Sequence, residues 1–211
     1  MGHRGTFIAL VGPDGSGKTT LSSAIEHLCS SRGLPFRYIH WRPGLATQPA
    51  TQVPASAIAP PPKAELPAEI TPGMWWASLL RLARSALIFN AYYLIRIRPL
   101  LKNGCVVVAD RWAYNYLAQP RSVRYYGPAR AARFVVHHLI WHPDHLFVLT
   151  ASSAVIRSRK TELTAQEIRD EARRWELLAE QFGGNQIDAT QPADTLAAIV
   201  LDAASVRQDR A

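Results

Sequence analysis

The stretch Gly12-Pro13-Asp14-Gly15-Ser16-Gly17-Lys18-Thr19-Thr20 follows the apolar run FIALV. Its G-x-x-x-x-G-K-T spacing can grip polyphosphate. The glycines let successive backbone N–H groups turn inward, and the helix that follows points its positive end at the anion. Lys18 is placed to reach the outer phosphates of ATP, and Thr19 to offer a hydroxyl to Mg²⁺. Gly12, Asp14, Gly15, Ser16, Gly17 and Thr20 complete the expected cradle. A second feature is CVVVAD, an apolar run that ends on Asp110. An acid at the carboxyl end of a buried strand beside such a loop holds Mg²⁺ or its water, so Thr19 and Asp110 are the expected metal side. A third is IRSRKTEL, where Arg157, Arg159 and Lys160 supply charge that can steady a phosphoryl group in flight.

Other clusters carry less. His138 and His142 are four apart in HHLIWHPDH, but Pro143 breaks the helix there and no HExxH or cysteine set accompanies them. Arg121, Arg124, Arg130 and Arg133 either line an acidic-substrate channel or decorate a helix. The Asn-Lys-x-Asp guanine-reading motif of GTPase switches is absent.

These residues need elements to hold them. The chain has 211 residues, enough for one domain with a substantial core. Its net charge is +8, and arginine carries most of it, which suits phosphate better than lysine would. With no basic run or nucleic-acid signature, a nucleic-acid partner is not expected. Cys29 and Cys105 lie in separate apolar segments and read as buried free thiols. The longest apolar stretch, Met74 to Ile95, contains Arg81 and Arg84, each costing about 2.5–3.5 kcal/mol near a bilayer centre. It therefore reads as a long helix and not as a membrane span, and the protein as cytoplasmic.

The period of the apolar residues gives the order. Thr6–Val11 reads as a strand, Lys18–Ser31 as a helix, Phe36–Trp41 as a strand and Trp75–Lys102 as a long helix. Cys105–Asp110 is a third strand, Ala113–Ala118 a short helix, and a helix starts at Gly127-Pro128 and runs to about Ile140. His145–Thr150 is a fourth strand, followed by helices from Ser153 and from Thr164, the latter stopped by Gly183-Gly184. Asn185–Asp188 is a last strand and Pro192 opens a final helix. The segment from Arg42 to about residue 74, rich in Pro, Ala and Thr, reads as a mobile acceptor-side region, and 156–164 as a lid. Such alternation implies an α/β fold with a parallel sheet covered on both faces.

With Asp110 followed by Arg111 and Trp112, and Arg42-Pro43-Gly44 after the second strand, the chain resembles the thymidylate kinases over nearly its whole length. RPLLKNGCVVVADRW is similar to that family's helix-end, glycine, strand and Asp-Arg motif, and Asp14 stands where those kinases place an acid near the acceptor sugar. The resemblance implies one P-loop kinase domain over residues 1–211, with five parallel strands in the order 2-3-1-4-5. It implies ATP and Mg²⁺ as cofactors, with Lys18 and Arg111 among the catalytic groups. Arg42 and Arg111 would hold the acceptor phosphate, and Asp14 its hydroxyl. Arg84 on the long helix, with Tyr114 and Asn115 after the triplet, completes the expected acceptor side. Gly15 and Ser16 stand where some members carry a loop arginine, so Arg157, Arg159 and Lys160 would supply that charge from the lid. The family's base-reading positions differ: Asn115 and Ala118-Gln119-Pro120 follow the triplet, and Ser85 and Phe89 occupy the base-stacking turn of the long helix. DRWAYNYLAQPRSVRYY and Arg159-Lys160-Thr161-Glu162-Leu163 resemble thymidylate-kinase-like proteins associated with bacterial surface polysaccharides. Three readings stay open: a kinase acting on a nucleoside monophosphate, a kinase for a sugar or sugar phosphate, and a non-catalytic nucleotide-binding module. A homodimer through the long apolar helix is a further expectation from the resemblance.

Overall fold

The computed structural model describes residues 4–40, 72–150 and 165–206. Arg42, Arg157, Arg159 and Lys160, most of the proline-rich segment, the expected lid and its helix from Ser153 lie outside the described residues. The chain runs β1 (Phe7–Val11), α1 (Lys18–Ser31), β2 (Phe36–His40), α2 (Pro72–Tyr92), a π-helical turn (Tyr93–Ile97), α3 (Arg98–Lys102) and β3 (Val106–Asp110). A 3₁₀ turn (Trp112–Tyr114) leads to α4 (Asn115–Ala118), a second 3₁₀ turn (Pro120–Val123), α5 (Ala129–Phe134) and another π-helical turn (Val135–Leu139). β4 (His145–Thr150), α6 (Ala165–Phe182), β5 (Asn185–Asp188) and α7 (Ala193–Val206) complete it.

The five strands form one sheet in the order β2-β3-β1-β4-β5, every neighbouring pair parallel. This is the expected fold and strand order. FIALV and VVVAD are buried along their whole length, as a strand covered on both faces requires. Side chains alternate across a strand, so β1 feeds two cores. Phe7, Ala9 and Val11 face Leu82, Phe89 and Ile97 of the long helical arm and Trp175 and Leu178 of α6. Ile8 and Leu10 face Leu21 and Ile25 of α1 and Leu196 and Val200 of α7.

The long arm from Pro72 to Lys102 is helical throughout, as its apolar period predicts, but the turn Tyr93–Ile97 is π-helical. Widening that turn lets Tyr93 stack on Trp141, 4.9 Å away and nearly parallel. Asn90 ties the same spot, donating to the Leu139 carbonyl and accepting from the Trp141 N–H. α6 ends where Gly183 takes a positive φ of 62°. Among the described residues no helix is long and apolar enough to cross a membrane.

Candidate functional site

The strand order puts the carboxyl ends of β1 and β3 side by side, Leu10 opposite Asp110, with β2 outside them and His40 also opposite Asp110. β1 lies where the order turns from β3 to β4, and in open α/β sheets ligands bind at that point.

The loop after β1 folds because its glycines accept conformations other residues resist. Gly12, Gly15 and Gly17 have φ of 144°, 86° and 92°. A Cβ on Gly12 would lie 2.6 Å from the Leu149 carbonyl oxygen. Gly17 precedes α1 without any side-chain cap, and the first turn of α1 holds no acid, so the helix offers its first N–H groups and positive end to the loop. Lys18 is buried, and its Nζ donates to the carbonyls of Gly12 (3.0 Å) and Pro13 (2.8 Å). Burial lowers its pKa, and the charge of Arg111 works the same way against the pull of Asp110 and Asp14. Thr19 and Thr20 are exposed in the first turn.

Asp110 is buried at the end of β3, and its two oxygens differ. Oδ2 lies 3.0 Å from His40 Nδ1 and accepts from the Tyr38 hydroxyl at 3.4 Å. Oδ1 has no hydrogen-bond partner, and the Arg111 Nε stands 3.9 Å from it. Burial pushes the Asp110 carboxyl upward, but the His40 hydrogen bond and the charges of Lys18 and Arg111 outweigh it and hold the pKa below the usual carboxylate value.

Arg111 turns the chain out of β3 with φ of 72°, and Trp112 follows at 39°. Two successive non-glycine residues in this region are strained, and the surroundings must hold them. The Trp112 anchor does so: it is buried edge-on against Phe7 and Phe89, and its Nε1 donates to the Trp141 carbonyl at 2.9 Å. The Arg111 guanidinium then reaches back to Asp14 in the loop and donates to Gln119 Oε1 at 3.3 Å. Gln119 in turn donates to Glu171 of α6 at 2.5 Å. Asn115 opens α4 and its carbonyl accepts from the Gln119 N–H; it is buried, and its Oδ1 has no partner.

Asp14, Lys18, Asp110 and Arg111 thus converge as neighbours. The buried side-chain polar atoms without a partner among the described residues are Ser16 Oγ, Asp110 Oδ1, Arg111 Nε and Asn115 Oδ1, all from the loop, the last residue of β3 and the segment that follows it. Buried polar groups are normally satisfied, so their concentration here marks a place built to meet a ligand. The donor set fits a nucleotide carried with Mg²⁺. One carboxylate oxygen and a loop hydroxyl suffice for an ion that takes its remaining ligands from phosphate and water. No larger group of His, Cys, Asp or Glu able to hold a metal occurs among the described residues.

Other expected residues sit elsewhere. The 3₁₀ turn that buries Trp112 also buries Tyr114, against Phe182, with its hydroxyl 3.5 Å from His142 Nδ1, three residues before β4. Burial raises that phenol's pKa. Arg84 is exposed on α2. Phe89 is buried beneath Trp112, and Ser85 Oγ accepts from the Tyr116 hydroxyl at 2.7 Å, so both residues of that turn are engaged within the protein.

The sequence reading passed over His40, Tyr38 and Glu171, and gave Gln119 no part in the site. His40 carried a signal: a polar residue at the end of a strand that pairs in register with the one bearing Asp110. Comparison with known proteins gives no match, either to a family model or to a curated sequence.

Proposed function

We propose that the chain is an ATP-dependent phosphotransferase of the thymidylate-kinase type, passing the γ-phosphate to a small phosphorylated acceptor. The observation that carries this reading is the convergence of Lys18, Asp14, Arg111 and an unpartnered Asp110 oxygen around a glycine loop that opens an uncapped helix. Mg²⁺, when bound, would draw charge from the phosphates. Thr19 and Asp110 are the side chains to hold it, with Ser16 and the loop N–H groups on the phosphates. Lys18 would exchange its two carbonyl partners for phosphate oxygens. Arg111 is tethered by Asp14 and Gln119 at the acceptor side, so it meets the transferring group already oriented.

A nucleoside monophosphate is the default acceptor. A sugar or sugar phosphate is favoured by one observation: Ser85 has no ring to stack on a base and is bonded to Tyr116, and the Phe89 ring is packed against Trp112. The test is ADP release from MgATP with dTMP, dUMP and a panel of sugar phosphates. We expect one acceptor class to be turned over, and Lys18→Ala to lower that rate at least ~100-fold while the fold is kept. Near-normal turnover by Lys18→Ala would falsify the assignment. ATP bound but never consumed with any acceptor would leave the binding-module reading in its place. The reading also carries a cytoplasmic setting, where ATP is available, and a homodimer.

A further inference from the structure

We propose that His40, with Tyr38 beside it, is a positioning residue that fixes the Asp110 carboxylate so that Oδ1 faces the divalent cation of the bound nucleotide. This rests on the reading above and adds to it a role for the edge strand.

The argument begins with the alternation of β2. In FRYIH, Tyr38 and His40 are two apart and so share a face of the strand. Their rings stack at 6.5 Å and 30°. Both reach the same atom, Asp110 Oδ2, and neither reaches Oδ1. The parallel register makes this possible by setting His40 directly across from Asp110.

A carboxylate at a strand end can rotate about its last bond. Two donors on one oxygen and none on the other define which oxygen is held and which is presented. The competing partner is close, since the Arg111 Nε lies 3.9 Å from Oδ1. Without His40, Oδ2 keeps only the longer Tyr38 contact, and the carboxylate is free to turn onto Arg111 and Lys18. An oxygen engaged there is withdrawn from a cation. Groups that orient a ligating side chain in this way typically change metal affinity 10–100-fold when lost.

The nitrogen that acts is Nδ1, near the backbone, while the ring as a whole is 38 % exposed. The substitutions can therefore separate orientation from bulk. Asparagine keeps a donor nitrogen at the δ position, glutamine moves it one bond farther out, and alanine removes it. The probe is ADP, with binding measured calorimetrically in EDTA and across a Mg²⁺ titration. We expect His40→Ala to raise the Mg²⁺ concentration needed for half-maximal tightening of ADP about tenfold or more. Its affinity for ADP in EDTA should change by less than that. His40→Asn should recover most of the loss and His40→Gln little of it. Wild-type Mg²⁺ dependence in His40→Ala overturns the proposal. So does an equal loss in the Asn and Gln variants, which would mean the imidazole merely fills space. Should His40→Ala fail to fold, the comparison of Asn with Gln decides alone. If wild-type protein itself binds ADP with no Mg²⁺ dependence, the phosphate-loop reading fails first, and this inference with it.

Discussion

At the scale of single residues, the site is a set of charges that hold one another in place. Asp110 is the clearest case, because its folded-state carboxyl is held below its ordinary value in spite of burial. The sign follows from linkage. An unfolded aspartate titrates near about 3.9, so the stabilising contribution is fully present above that and is lost as pH falls through the lower folded value. Urea unfolding across the acid range should show wild-type stability falling with acidification more steeply than that of Asp110→Asn. The difference is bounded by roughly 1.4 kcal/mol per pH unit, the slope of one proton. Parallel slopes would mean that His40, Lys18 and Arg111 do not favour the charged form. The loop conformation and the buried acid at the end of β3 were legible in the sequence, because the glycine spacing and the apolar run ending on Asp110 announce them. Gln119 and Glu171 were not, since their meeting depends on how α6 packs beside α4. The placement of Tyr114 was not legible for a related reason: it follows the positive-φ turn at Arg111 and Trp112, which no local propensity of those residues announces.

At the scale of elements, what positions the chemistry is a short loop wedged between β1 and β4. Gly12 fits there only without a side chain, because a Cβ would lie 2.6 Å from the backbone oxygen of Leu149 and its φ of 144° is one L residues rarely adopt. Gly12→Ala should therefore cost roughly 1–3 kcal/mol from backbone strain, read as a lower urea midpoint at unchanged slope. A variant as stable as wild type would show that the loop relaxes without cost, and its cradle geometry would then not be fixed by β4. The strands and long helices were readable from period and punctuation, and Lys18–Ser31 matches residue for residue. The π-helical turns and the 3₁₀ turn at Pro120–Val123 were not. A single π turn is too short to alter the apolar period read along its host helix, and here it accompanies the stacking of Tyr93 on the Trp141 ring.

At the scale of the molecule, parallel alternation fixed the sheet, and the kinase resemblance supplied the strand order that the structure shows. The surface is less even. Between Ile70 and Pro143 the only acidic residue is Asp110, against ten arginines and lysines. Along the same arm Trp76, Leu80, Leu87 and Ile95 are more than half exposed. A row of exposed apolar side chains on one helix is suited to a second cover, and the expected homodimer would provide it. Sedimentation equilibrium should then give twice the chain mass for wild type and the single mass for Leu87→Glu, which sets a carboxylate within that face. A wild-type single mass would rule the homodimer out. The edge position of β2 has its own consequence. Hydrogen exchange in proteins follows a hierarchy of local openings, in which edges fray first and central strands open only with the whole fold. Lys18, Asp14 and Asp110 hang from β1 and β3 at the protected centre, while His40 hangs from an edge strand. The groups proposed to grip phosphate therefore stand on the strands expected to open last, and the residue proposed to aim Asp110 stands on one expected to open early.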